Sequence, residues 1–175
     1  MKNNIALIGF MGTGKTAVGK ELARILQIEF FDTDKLVEQR MGKSITAAFA
    51  DQGEAYFRAV ESKVVQELAK KTNAVISTGG GVVLDQKNMK ALQKSCFVVC
   101  LQAAPETIYA RTTKQKERPL LKGEHPLTKI QTLLASRKQA YEQADLKIAT
   151  DEQNVQQIAA LICAAYKRSE KNAGF

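Results

Sequence analysis

Gly9-Phe10-Met11-Gly12-Thr13-Gly14-Lys15-Thr16 has glycine, four residues, then Gly-Lys-Thr, the spacing of a phosphate-binding loop. The apolar run from Ile5 to Ile8 leads into it, and Val18, Leu22, Ile25 and Leu26 follow at the spacing of one helix face. Strand, glycine loop and helix in that order are the context the motif requires. Gly9, Gly12 and Gly14 admit positive φ and let the backbone come close to an anion. Successive N–H groups then converge on phosphate at the positive end of the helix dipole. Lys15 is placed to reach the β- and γ-phosphates, and the Thr16 hydroxyl to hold Mg²⁺. A glycine-rich turn matching by chance would not bring both flanks with it, so the chain is read as binding a nucleoside triphosphate.

The 175 residues are expected to form one domain, able to bury a core without staples. A formal net charge of +8 at pH 7 fits either a nucleic-acid surface or a pocket that gathers small polyanions. Lys and Arg are spread along the chain, there is no Trp to stack on bases, and the basic end Lys167-Arg168 reads as a solvated helix terminus. The small-anion pocket is favoured, with no nucleic-acid partner. Cys96, Cys100 and Cys163 are odd in number and lack metal-ligand spacing, so they read as core thiols in a reducing compartment. No signal peptide or membrane-spanning run is visible, and the expectation is a cytoplasmic monomer without a membrane partner.

Apolar runs at Ile5 to Ile8, Glu29 to Phe31, Ala74 to Ser77, Cys96 to Leu101 and Leu146 to Ala149 predict strands. Helical patterns start near Lys15, Asp34, Gly53, Asp85, Pro105 and Pro126, with a last one after Thr150. Thr150 with Gln153 suggests a capping box for that last helix, whose stripe is Val155, Ile158 and Ile162. The alternation predicts an α/β domain with a parallel sheet covered on both faces. The stretch from Lys114 to Pro126 is polar, basic and broken by Gly and Pro, and is read as a lid (about residues 112–126) that excludes water.

A phosphate loop does not by itself choose between a kinase, a switch and a motor, so the acceptor side must decide. The second strand ends in Phe31-Asp32-Thr33-Asp34, where ligands of an open α/β sheet bind. One carboxylate can support Mg²⁺ and the other can take the proton of an attacking hydroxyl. Helix capping accounts for one of the two but not both. Arg58 and Glu61 share a helix face, either as an intrahelical ion pair or as a rigid guanidinium mount for a carboxylate. Gly79-Gly80-Gly81 closes the third strand, either as a flexible turn or as a place where a ligand or backbone must come very close. Arg111, Arg118 and Arg137 are each an ordinary surface charge taken singly. Together with a phosphate loop they suit a substrate bearing a carboxylate and a phosphoryl group in transfer. His125, the lone histidine, reads as noncatalytic.

These elements resemble the shikimate kinases: Gly9 to Thr16, Phe31-Asp32-Thr33-Asp34, Gly53-Glu54 with Phe57-Arg58 and Glu61, Ser77-Thr78-Gly79-Gly80-Gly81, Arg118-Pro119-Leu120-Leu121, and Arg137 with Tyr141. The resemblance spans about Ile5 to Asp145. It implies five parallel strands in the order 2-3-1-4-5, as in the nucleoside monophosphate kinases, and transfer from ATP to shikimate. It further implies nucleotide contacts from Gly12, Thr13, Gly14, Lys15, Thr16 and Ala17, with Arg111 along the adenine and Arg118 swinging in with the lid. Asp34 would bind the acceptor hydroxyls and take the proton. Arg58 and Arg137 would clamp the carboxylate beside Gly79, Gly80 and Gly81. Thr16 and Asp32 would serve Mg²⁺. Gln139 stands where the family usually has proline, and Ala47-Ala48 replaces a more typical isoleucine, which bears on local helix geometry. A kinase for another polyol acid such as gluconate, a nucleotide-dependent switch, and an inactive ligand-binding relative stand as alternatives.

Overall fold

The computed structural model describes residues 2–113 and 125–172. Five strands, β1 (Asn4–Gly9), β2 (Glu29–Asp32), β3 (Ala74–Ser77), β4 (Cys96–Gln102) and β5 (Leu146–Ala149), form one parallel sheet in the order β2-β3-β1-β4-β5. This is the order the resemblance implied. β1 is central, and its side chains alternate between two apolar layers. Ala6 and Ile8 pack with Ile76, Val98 and Cys100, while Ile5 and Leu7 pack with Val75, Val99 and Leu101.

The first layer is covered by α2 (Thr33–Met41), α3 (Ile45–Leu68) and α4 (Gln86–Ser95), the second by α1 (Lys15–Leu26) and α7 (Val155–Asn172). Two further helices, α5 (Pro105–Thr113) and α6 (Pro126–Tyr141), bury Ile108 and Ile130 against Phe10. Both begin with proline, where no intrahelical N–H is needed. Gln139 is exposed and leaves α6 uninterrupted, and Ala48 is fully buried in α3. The three cysteines are free, buried thiols, and burial raises the pKa of each, Cys100 to about 12. No helix among the described residues is long and apolar enough to cross a membrane.

Two local expectations are corrected. The helix predicted to start near Gly53 begins at Ile45, where the Ser44 hydroxyl accepts from the Ala47 N–H at 3.2 Å. Gly53, at φ 78° and ψ 170°, is a kink inside it, and Phe49 and Phe57 pack across that kink with centroids 4.9 Å apart. The last helix is not capped by Thr150 with Gln153. Its capping box is Asn154 with Gln157, each backbone N–H donating to the other's side chain at 2.9 Å. Thr150 is instead occupied by Arg111.

Gly9 is the hinge between β1 and the phosphate loop. Its φ is 139°, and a Cβ there would overlap the Leu101 carbonyl oxygen of paired β4. Because that oxygen belongs to the sheet backbone, it cannot move aside. Gly9→Ala is expected to destabilise the fold by about 2–4 kcal/mol, a strained-backbone effect. Urea unfolding checks this, and an unchanged midpoint would refute it.

Candidate active site

The glycines of the loop do what the motif requires: Gly12 and Gly14 stand at φ 79° and 90°. Gly14 caps α1 in the left-handed conformation and offers no side-chain acceptor to the first turn. The N–H groups of that turn, which includes Ala17, are therefore left to an anion. Thr13 is buried, its hydroxyl donating to the Phe10 carbonyl at 2.8 Å. Lys15 is 8% exposed, and its ammonium donates to the Gly9 and Phe10 carbonyls at 2.9 and 2.8 Å. Arg111 is fastened beside the loop, donating to the Gly12 carbonyl at 3.3 Å and to the Thr150 hydroxyl and carbonyl at 3.0 and 2.8 Å.

Across the loop, Asp32 performs two tasks at once. One carboxylate oxygen caps α2 by accepting from the Asp34 and Lys35 N–H groups, at 3.1 and 3.4 Å. The other accepts from the Thr16 hydroxyl at 2.9 Å. Capping thus explains Asp32, and Asp34 in the first turn is left to the acceptor side. The Thr16 and Asp32 oxygens are hard donors, suited to a Mg²⁺ that keeps several waters and phosphate ligands. Two such donors fit that role, and a fully protein-built cage is not needed.

The triple glycine is where the acceptor residues converge. None of Gly79, Gly80 and Gly81 has a left-handed φ, so dihedral freedom is not the reason for them. Space is. A Cβ on Gly79 would overlap the Asp34 carboxylate and stand 3.0 Å from a Glu61 oxygen. One on Gly81 would fall on the Arg58 guanidinium. One on Gly80 would lie 3.7 Å from an Arg137 terminal nitrogen and 3.5 Å from the Met11 nitrogen of the phosphate loop. The buried Thr33 hydroxyl accepts from the Gly79 N–H at 2.8 Å and so ties the α2 start to this turn.

Arg58 bridges Glu61 at 2.7 Å and Glu54 at 3.0 Å, so the ion pair and the rigid mount are one arrangement. The Glu61 side chain is 3% exposed, and burial raises its pKa while Arg58 pulls the other way. Burial works against the Arg58 charge, but Glu61 and Glu54 outweigh it and hold that pKa above the ordinary arginine value. Arg137 is 4% exposed, donates to the Gly80 carbonyl at 2.9 Å and lies over the Phe10 ring at 5.1 Å. Arg118, and residues 114–124 of the expected lid, lie outside the described residues.

The family model for shikimate kinase matches residues 11–167. The chain belongs to the shikimate kinase family. A shikimate kinase from Deinococcus radiodurans is 48% identical over 149 residues, covering 85% of this chain and 76% of the relative. One from Caldanaerobacter subterraneus is 44% identical over 163 residues, covering 93% and 95%. The solved shikimate kinase from Acinetobacter baumannii in complex with shikimate matches at a TM-score of 0.92 and 36% identity, over 95% of this chain and 94% of that one.

For a shikimate kinase family member, three supporting residues were not singled out from sequence. Thr33 sits between the two aspartates and its hydroxyl reaches the triple glycine, which the Asp-Thr-Asp spelling alone could have raised. Phe10, inside the loop motif, forms the floor under Arg137. Thr150, assigned to a cap, anchors Arg111. All three act through contacts between segments far apart in the chain, which local pattern does not record.

Proposed function

We propose that the chain transfers the γ-phosphoryl group of ATP to the 3-hydroxyl of shikimate, giving ADP and shikimate 3-phosphate on the route to chorismate and the aromatic amino acids. What carries the reading is the convergence of Asp34, Glu61, Arg58 and Arg137 on Gly79 to Gly81, beside the phosphate loop. A ring with hydroxyls on one side and a carboxylate on another needs carboxylates and guanidinium groups arranged in this way. The likeness to the Acinetobacter baumannii enzyme in complex with shikimate supports the same acceptor.

In this reading the oxygen of the 3-hydroxyl bonds to the γ-phosphorus as the bond to the ADP oxygen breaks, and the hydroxyl proton passes to Asp34. Lys15 and the first-turn N–H groups of α1, from Gly14 to Ala17, hold the phosphates, with Gly12 and Thr13 shaping the approach. Arg111 lies along the adenine, and Arg118 is assigned to the phosphoryl group in flight. Thr16 and Asp32 hold Mg²⁺, which supplies charge neutralisation across the phosphate oxygens. Catalysis is positioning plus electrostatics, since phosphoryl transfer asks little covalent help of the protein. We take the enzyme to be a cytoplasmic monomer with no nucleic-acid or membrane partner, a reading the buried free thiols and dispersed charge support.

A coupled ADP-release assay with ATP and Mg²⁺ tests the proposal, comparing shikimate with gluconate, nucleoside monophosphates and no acceptor. Shikimate-dependent turnover far above the rest is expected. Equal turnover with another acceptor would overturn the substrate assignment. Arg58→Leu is expected to weaken shikimate binding by about 2–5 kcal/mol, the loss from leaving a buried charge partner unpaired. Glu61 also loses its counter-charge in this variant, so circular dichroism must establish that the protein tested is folded. An unchanged shikimate Kd in folded Arg58→Leu would refute the clamp.

A further inference from the structure

Arg137 and Tyr141 stand one turn apart on α6, at the spacing that puts two side chains on one helix face. Both are buried, at 4% and 5% exposure. Among the described residues, the buried side-chain polar atoms without a hydrogen-bond partner are the Arg137 Nε and the Tyr141 hydroxyl. Buried polar groups are rarely left this way, and such exceptions concentrate where function needs them. Here the two are chemically complementary. Nε–H can only donate, and a phenolic oxygen can accept.

The rest of the guanidinium is already held. One terminal nitrogen donates to the Gly80 carbonyl at 2.9 Å, and the flat face lies on Phe10, 5.1 Å from the ring centroid. Those two contacts fix the position of the group and the plane it rests on. They leave open its rotation within that plane, which decides where the second terminal nitrogen points. Nε is the atom through which that rotation can be fixed.

We propose that the Tyr141 hydroxyl is the positioning group for Arg137: it accepts the Nε–H as the guanidinium takes up the acceptor carboxylate, and so aims the fork at it. The inference rests on the proposed function, because it needs an acceptor with a carboxylate. Burial pushes the Tyr141 pKa up to about 12, with the Arg137 charge pulling it down. The group is therefore a neutral phenol throughout the working pH range, and its oxygen faces a cation. Arg137 thus acts on the hydroxyl electrostatically while standing outside hydrogen-bond geometry, which is the relation expected of a contact completed on binding.

Tyr141→Phe removes the hydroxyl and keeps the ring that packs with Cys100 and Leu134. The expected result is a KM for shikimate raised about five- to tenfold, the loss typical of one hydrogen bond to a charged group. The kcat stays within about twofold, because the reacting hydroxyl is at the other end of the ring. The melting temperature is unchanged or higher, since an unpaired hydroxyl leaves the core. The same change made in an Arg137→Lys background, which has no Nε–H, leaves KM where that background set it. An unchanged KM in Tyr141→Phe overturns the positioning role, as does an equal rise in both backgrounds. In the wild-type protein, ¹⁵N-arginine NMR is expected to show slower exchange of one buried Nε–H on adding shikimate, a signal absent from Arg137→Lys. No slowing overturns the proposal even where Tyr141→Phe fails to fold. Wild-type protein that does not turn over shikimate refutes the functional reading itself; activity with an unaffected Tyr141→Phe refutes only the role of Tyr141.

Discussion

Lys15→Ala folds and melts close to the parent protein, but its shikimate-dependent turnover falls by roughly a hundred- to a thousandfold or more, the scale for removing one preorganised charge from a transition state. The expectation follows from where the ammonium is kept. Its stem is buried behind the loop, and its head rests on the Gly9 and Phe10 carbonyls, at the end of β1. These carbonyls accept weakly compared with phosphate oxygens, so the ammonium is stored in the loop ready for a stronger acceptor. Alanine keeps the helix start, because Gly14 and the first-turn backbone are untouched and alanine is the best helix former. What is lost is the positive charge that follows the phosphoryl group. Steady-state kinetics with thermal melts check the split: kcat should collapse while the melting temperature moves by a few degrees at most. Turnover within tenfold of the parent would remove Lys15 from the reaction.

The parts of the fold readable in sequence are those whose cause is local. β3 and β5 match the apolar runs from Ala74 to Ser77 and from Leu146 to Ala149 residue for residue. The phosphate loop was legible because its glycines are required by dihedral angle at fixed spacing. Where a glycine serves space instead, sequence gave only half the answer. The run Gly79 to Gly81 marked a close approach, but the approaching groups are Asp34, Glu61 and Arg58, from two other helices. The first arm of α3 was missed although Ser44, Ile45, Ala48 and Phe49 carry a start signal and a helical stripe, because Gly53 looked like the beginning of a helix. Gly53 is tolerated inside because the two arms pack on each other through Phe49 and Phe57. The cap of α7 was placed a turn early because Thr150 is a good capping residue in isolation. Tertiary structure assigned its hydroxyl and carbonyl to Arg111, 39 residues away.

Asp34→Asn tests the proton acceptor, and its effect should rival that of Lys15. Asparagine matches the shape of aspartate and keeps one carbonyl oxygen, so it can still hydrogen-bond the acceptor's hydroxyls; what it cannot do is take a proton. The loss expected is about a hundred- to ten-thousandfold in kcat, the range for general acid–base help, with the shikimate KM changed far less. Glu61 is the one nearby carboxylate that could be thought to substitute, since both approach Gly79. It is poorly placed to do so. Its other oxygen is held by Arg58 at 2.7 Å, and its buried side chain is committed to keeping that guanidinium in place. Stability should not suffer either. Asp34 repels the Glu61 charge and contributes to raising its pKa, so neutralising Asp34 relieves that repulsion. Against this stands a favourable carboxylate at the start of α2, worth about 0.3–1 kcal/mol near a helix N-terminus. The two effects oppose, and the melting temperature is expected to move by only a few degrees. Retained kcat in Asp34→Asn at saturating shikimate would mean that Asp34 orients the hydroxyl and that its proton leaves by another route. A large fall in KM-independent turnover with an unchanged melting temperature would leave proton acceptance as the property that asparagine lacks.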